Sequence, residues 1–316
     1  MTLELLTPGS EPRLAFIGGV ERWPALHAPP PQWRLALLND GVVHACASIW
    51  TDAVAAYRGT QPAYIGHLSA SAPDRLTELL EGTTKLRELA GRPIIGPIDG
   101  STWSRYRILT ESSGEPSFPM EPTNLPWWPE SFANAGFGVI ERYWSALRSV
   151  DEIQATKPAP IPDGIRLRAL DPHRLESDLD AIYDLSVGAF AANPLYTPIP
   201  RDAFRAMYSG VARSVDPRFC LFAEASGPVG VMFAFSDPLG RLVLKSIAVA
   251  DHARSSGLGT AMLDQVALQA QAQGITKLIY ALMHESNRSS SMVAKVAEPM
   301  RRYSLFGVGF DDGVAQ

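Results

Sequence analysis

Leu242-Val243-Leu244-Lys245-Ser246-Ile247-Ala248-Val249-Ala250 is apolar at most positions of both alternating faces, and Arg254-Ser255-Ser256-Gly257-Leu258-Gly259 follows a few residues later. The first run has the pattern of a strand buried in the middle of a sheet. Beyond the loop, Leu258, Met262 and Val266, flanked by Leu263, Ala267 and Ala270, recur at helical spacing, and Gly274 supplies a C′ stop. The six-residue loop therefore opens a helix. At such a helix start the first N–H groups lack internal partners and the macrodipole is positive, which favours a phosphate group. Gly257 and Gly259 remove Cβ atoms where the chain must curl around diphosphate oxygens, while Arg254, Ser255 and Ser256 can add donors.

Taken alone, Arg-x-x-Gly-x-Gly also fits a tight strand-to-helix turn. Other phosphate loops fit less well. No Gly-x-x-x-x-Gly-Lys-Ser/Thr occurs, and Gly257-x-Gly259 is followed by Met262 where a dinucleotide fingerprint wants glycine or alanine. Ile279 and Tyr280 stand where the ribose-binding acid would fall. The loop points to the diphosphate of coenzyme A, with the tight turn as the alternative.

At 316 residues and 46% hydrophobic composition, the chain can bury one large core or two ordinary ones. A formal charge of −5 and the lack of a long basic block argue against nucleic acid as partner. No apolar run reaches membrane-spanning length and Met1 to Val20 has no signal-peptide pattern, so the expected location is the cytoplasm, with no membrane partner. Cys46 and Cys220 each lie in strand-like apolar contexts and read as reduced core thiols. The six histidines show no metal-ligand spacing, so no metal is implied, and no Gly-x-Ser-x-Gly elbow occurs.

Outward from the loop, the C-terminal half reads as a strand at 165–170, helices at 174–190 and 201–213, and strands at 219–224 and 229–235. The quoted strand, loop and helix come next, then a strand at 275–283, a short helix at 289–296 and a last strand at 301–310. Between the first two helices lies a proline-rich, apolar loop, 191–200, expected to line a pocket. The stretch Lys157-Pro158-Ala159-Pro160-Ile161-Pro162 reads as a stiff connector, dividing residues 1–155 from 163–316.

This element order, with Ile247-Ala248-Val249 closing one strand, Arg-x-x-Gly-x-Gly after it and Asn287 at the exit of the next, resembles the GCN5-related N-acetyltransferase (GNAT) family. The resemblance covers nearly half the chain. It implies the acyl-CoA N-acyltransferase fold, an α/β (α+β) mixed sheet in which the fourth and fifth strands diverge to admit pantetheine, and acetyl-CoA as co-substrate. Ile247, Ala248 and Val249 would offer backbone groups to the pantetheine arm, Arg254, Ser255, Ser256, Gly257, Leu258, Gly259 and Thr260 would hold the diphosphate, and Asn287 would contact the arm from the other side. The implied chemistry is direct attack of an amine on the thioester, with the Val249 N–H facing the developing oxyanion.

The chain departs from the family pattern at the residue that protonates the departing thiolate. Ala294 stands where a tyrosine is usual, and Tyr303 is the nearest substitute. Ser246 is the second catalytic candidate, just upstream of the Ile-Ala-Val backbone, and His284, Glu285 and Glu224 are further candidates for the base.

The N-terminal half reads as strands at 34–38, 42–49, 63–68, 94–98 and 139–147 with a helix at 74–90, and resembles a second, degenerate domain of the same family, as in its tandem-domain members. Ser69-Ala70-Ser71-Ala72-Pro73-Asp74 replaces its glycine-rich loop, so it is expected to be structural or acceptor-shaping, without a diphosphate cradle. Trp127 and Trp128 are expected to pack on its core. Two functions follow from the resemblance: an N-acetyltransferase acting on an amine of a small molecule or peptide, or a non-catalytic acyl-CoA-binding or scaffold protein.

Overall fold

A computed structural model describes residues 1–9, 14–24, 29–154, 158–254 and 256–310. The N-terminal half contains β1 (Thr2–Leu6), β2 (Ala15–Phe16), β3 (Trp33–Asn39), β4 (Val42–Trp50), β5 (Ala63–Ala70), α1 (Pro73–Thr84), β6 (Ile94–Gly96), β7 (Ile108–Ser112), α2 (Trp128–Asn134) and β8 (Gly138–Ser149). After α3 (Asp151–Gln154), the C-terminal half contains β9 (Arg166–Ala169), α4 (Leu175–Phe190), α5 (Arg201–Ser214), β10 (Cys220–Glu224), β11 (Pro228–Ser236) and β12 (Leu242–Val249). It ends with α6 (Leu258–Ala272), β13 (Lys277–His284), α7 (Arg288–Val293) and β14 (Glu298–Val308).

One mixed sheet runs through both halves in the order β1-β3-β4-β5-β6-β14-β8-β13-β12-β11-β10-β9, with β2 and β7 as side branches on β4 and β14. Each half has one parallel pair on this path, β5 with β6 and β12 with β13, and the other neighbours are antiparallel. The closing strands are exchanged. β14, from the C-terminus, pairs with β6 of the N-terminal half, and β8, from the N-terminal half, pairs with β13. The chain-level connector thus joins two halves whose backbone hydrogen bonding is continuous. Lys157 and residues 155–156 lie outside the described residues; Ala159 N–H donates to Asp264 Oδ2 at 2.8 Å, fixing the connector to α6.

Helices cover both faces of the C-terminal sheet. On one face α6 packs Leu258, Met262, Val266 and Ala270 against Met232, Leu244, Tyr280 and Trp144. On the other, α4 covers Phe222, Val231, Phe233, Val243 and Ala248. We call these the α6 face and the α4 face. In the N-terminal half, α1 and α2 cover one core containing Leu35, Ile49, Ile65, Leu79, Trp128 and Phe132. A separate aromatic cluster joins the halves on the α4 face, containing Trp50, Tyr57, Tyr64, Tyr143 and Tyr303 together with Leu195 from the proline-rich loop. The apolar character of that loop is therefore spent on docking the two halves. Cys46 and Cys220 are buried free thiols, and burial pushes each up to about 12.

Candidate functional site

β12 and β13 pair only from Leu242↔Leu278 to Leu244↔Tyr280 and then separate. Both strands carry an irregularity at that level. Against β11 the register passes from Leu244 to Ser246, leaving Lys245 as an extra residue, and against β8 it shifts between Tyr280 and Met283. Leu282 has a φ of 59°, and side chains of the N-terminal half take up its backbone groups: its N–H donates to Ser145 Oγ at 2.9 Å, and its carbonyl accepts from Arg107 Nη1 at 3.2 Å. The opening is thus held by buried partners.

The exposed edge of β12 follows from alternation. Ala250 N–H is committed to Val229 O on the β11 side at 2.9 Å, so the N–H and C=O of Val249 and of Ile247 point into the opening. The Val249 carbonyl is met by Arg254 Nε at 3.3 Å. Asn287, partly buried at the start of α7, has an extended backbone and makes no side-chain cap bond.

At the end of the opening, Gly257 has a φ of 84° and sits at the N-cap of α6 with no side-chain cap. That conformation is strained for any residue with a Cβ. Ser256 Oγ turns back to Ala253 O at 2.8 Å, and Ala261 N–H is the first to close on the helix start, at 3.1 Å from Gly257 O. The N–H groups of Gly259 and Thr260 have no acceptor among the described residues. A Cβ at Gly259 would meet only Ile247 Cδ1, at 3.5 Å, so nothing in the protein's own packing requires glycine there. Space above free first-turn N–H groups is what a diphosphate needs. Arg254 leans on exposed Asp251 at 2.9 Å, a pairing weak enough to exchange for a phosphate, and Ser255 lies outside the described residues.

The corresponding place in the N-terminal half is filled by its own backbone. β5 and β6 pair over Ala63↔Ile94 and Tyr64↔Ile95, after which Ile98 N–H bonds Ile65 O at 2.9 Å and His67 N–H bonds Asp99 Oδ1 at 2.6 Å. A Cβ at Gly66 would collide with the Ile98 carbonyl oxygen. Pro73 occupies the first turn of α1, where the second opening would have its cradle.

A polar cluster faces the opening on the α4 face. His284 Nε2 lies 2.6 Å from Glu141 Oε2, so Nε2 carries the proton, and Nδ1 faces the Ser286 hydroxyl at 2.7 Å and accepts from the Ser286 backbone N–H at 3.2 Å. Tyr57 donates to the other Glu141 oxygen at 2.7 Å. Burial works against the Glu141 carboxylate, but the hydrogen bonds from His284 and Tyr57 outweigh it and hold the carboxyl below its ordinary range. Tyr143 packs edge-on against His284 with centroids 4.9 Å apart. Beside it Arg107 is clasped between the Tyr106 and Tyr143 rings, at 3.9 and 4.2 Å.

Ser246 lies opposite Phe233, on the α4 face, and the Lys245 ammonium, from the extra residue of the bulge, feels the charge of Arg107. The other base candidates are engaged elsewhere: Glu224 pairs with Arg168 and Arg166, and exposed Glu285 reaches toward Arg302. Sequence reading missed Glu141, Tyr57 and Arg107, which come from distant segments. Lys245 carried a signal, being the lone charge in an apolar strand.

Tyr303 is fully buried, and its hydroxyl donates to Glu121 Oε1 at 2.6 Å and lies 3.3 Å from Ser145 Oγ. Burial and the Glu121 charge push its ionisation up. Strand β8 separates it from β13, so its contact with the opening passes through Ser145, which holds the Leu282 N–H. Ala294 is exposed at the end of α7. Tyr303→Phe should therefore lower stability by about 1–2 kcal/mol, as for a buried hydrogen bond that leaves its partner short of a donor, and change turnover less than about threefold. Thermal unfolding and kcat measure the two. A hundredfold fall in kcat at unchanged stability would instead make Tyr303 the thiolate's acid.

Among the described residues no cluster could hold a metal ion, and no helix is long and apolar enough to cross a membrane. Residues 179–294, from α4 to the end of α7, match the model of the acetyltransferase (GNAT) family. The fold is shared with a GCN5-related N-acetyltransferase from Sphaerobacter thermophilus at 14% identity and a TM-score of 0.52, covering 90% of this chain and 82% of that one. A tandem GNAT protein from the clavulanic acid biosynthesis pathway aligns at 13% identity and a TM-score of 0.50, over 89% of this chain and 83% of that one. A protein from Enterococcus faecalis V583 described as a probable N-acyltransferase aligns at 9% identity and a TM-score of 0.50, over 87% of this chain and 61% of that one. Among curated proteins no relative matches. The architecture is the acyl-CoA N-acyltransferase fold, in its tandem form.

Proposed function

The chain carries a GNAT-family domain over residues 179–294, and from that premise we propose that it is an acetyl-CoA-dependent N-acetyltransferase that moves the acetyl group directly to an amine. The observation that carries the reading is the opening of β12 from β13 beyond Leu244↔Tyr280, ending on the N–H groups of Gly259 and Thr260, which have no acceptor among the described residues. The edge of Ile247–Val249 would bond the pantetheine arm as an added strand, Arg254–Thr260 would receive the diphosphate, and Asn287 would close on the arm from β13. The Val249 N–H would face the carbonyl oxygen as it gains charge.

The amine would arrive on the α4 face, past Ser246 and Lys245. Its proton would pass to the Nδ1 lone pair of His284, directly or through the Ser286 hydroxyl, and the resulting imidazolium would be stabilised by Glu141. Water would protonate the thiolate. The paired His284 and Glu141 favour an enzyme over a non-catalytic binder, since a scaffold needs no polarised imidazole beside the acyl site. The cytoplasm is the location proposed.

The test combines calorimetry with turnover. Coenzyme A should bind with a stoichiometry of about one per chain, because the N-terminal opening is filled, and acetyl-CoA should release thiol only when a suitable amine from a broad panel is present. Binding without acceptor-dependent thiol release across that panel would establish the scaffold reading.

A further inference from the structure

Two cations face the acyl end of the opening without an anion. Arg107 is 6% exposed; its Nη1 is held by the Leu282 carbonyl, its flat faces by two tyrosine rings, and its Nε is buried without an acceptor. Lys245, from the other half, has no hydrogen bond or ion pair among the described residues, and burial followed by the Arg107 charge pulls its ammonium down to about 8. The carboxylates of this region are taken: Glu141 by His284 and Tyr57, Asp99 by the His67 N–H and Arg105, Glu121 by Arg301 and Tyr303. A buried guanidinium beside a half-buried ammonium is costly unless an anion joins them.

The coenzyme's own diphosphate does not reach this place. Lys245 is four residues upstream of Val249 on an extended strand, roughly 13 Å from the end at which the diphosphate loop begins. The thioester carbonyl is served by backbone. The anion must therefore come with the acceptor.

Resting on the acetyl-transfer reading above, we propose that the acceptor amine belongs to a molecule that also carries a carboxylate, held between Arg107 and Lys245 on the α4 face. The carboxylate would accept from the guanidinium edge that the tyrosine rings leave open and from the Lys245 ammonium, orienting the amine toward the thioester and His284. Because one cation comes from β12 and the other precedes β7, the site exists only where the two halves meet. This gives the degenerate half a direct part in choosing the acceptor.

The experiment uses the full chain saturated with coenzyme A and a set of N-acetyl amino acids, each paired with its C-terminal carboxamide, with binding read by calorimetry. The best acid should bind at least ~30-fold more tightly than its amide, as expected for a charge-assisted pair with two cations. Arg107→Gln and, separately, Lys245→Met should bring that ratio below about threefold, and Arg107→Lys should retain part of it. Coenzyme affinity and near-ultraviolet circular dichroism, measured on each variant, separate loss of the site from loss of the fold; Lys245→Met serves where Arg107→Gln disturbs Leu282. Equal binding of acids and amides, binding of neither, or an unchanged ratio in both folded variants would overturn the carboxylate site and leave acetyl transfer standing. Failure of wild-type protein to bind coenzyme A would remove the transfer reading itself.

Discussion

Gly259→Val should reduce coenzyme A affinity by at least ~100-fold while changing the midpoint of thermal unfolding by no more than a few degrees. In the protein alone the new Cβ has room, with Ile247 Cδ1 at 3.5 Å as its single near contact, and valine is no worse than glycine in a helix turn. The branched methyl groups, however, would project over the first-turn N–H groups of α6, which the diphosphate must approach closely. Gly257→Val should also abolish binding, but its φ of 84° is strained for a β-branched residue, so stability falls with it. Gly259 therefore separates ligand exclusion from backbone strain. Calorimetry with coenzyme A and a thermal scan on the same preparation measure both, and wild-type affinity in the Gly259 variant would falsify the assignment of this loop.

Local signals carried the elements that the sequence made legible. The alternation of Leu242–Val249, the glycine-rich loop and the 3.6-residue spacing after it specify β12, the turn and α6 within about thirty residues of chain, and the structure has all three. Errors fall where a local rule has an exception. The helix expected to run from Asp74 to Ala90 stops at Thr84, where Thr83 and Thr84 hydroxyls bond back to the Leu79 and Glu81 carbonyls at the end of the turn. Pro129 hides α2, because proline reads as a breaker although the first helical turn tolerates it. The sequence pattern does not mark β1, β2 or β7.

The exchange of β8 and β14 was not legible for a different reason. Val139–Leu147 and Arg301–Phe310 both read as closing strands, and each could pair with the sheet of its own half. Register between distant strands is decided by side chains that meet only after folding, here Tyr303 against Tyr143 and both against the Trp50 and Leu195 cluster. The same exchange assembles the acceptor side. It brings Glu141 and Tyr143 on β8 beside His284 on β13, and puts Arg107 against the bulge at Leu282. A chemical site drawn from five separated segments, around Tyr57, Arg107, Glu141, Lys245 and His284, leaves no spacing to read, whereas a phosphate loop lies in one.

His284→Gln should lower kcat by about 10²–10⁴-fold with coenzyme affinity unchanged, the range expected when a positioned general base is lost. Glutamine keeps a polar side chain of similar reach but has no basic nitrogen. Glu141→Gln should act through His284: the neutral amide can still accept from Nε2–H, but it no longer stabilises the positive charge formed when Nδ1 takes the proton, so kcat should fall by a smaller factor of about 10–10². The decisive measurement is the double variant. If Glu141 works only by positioning and charging His284, the pair should be no slower than His284→Gln alone, whereas independent roles would multiply. Single-turnover rates with the best acceptor keep thiol release separate from product release, and calorimetry confirms that the coenzyme still binds. Multiplicative losses would place Glu141 on the substrate itself. A His284 variant with undiminished single-turnover rate would move the proton to Ser246 or solvent, and would leave the Glu141–His284 pair as a strut between β8 and β13.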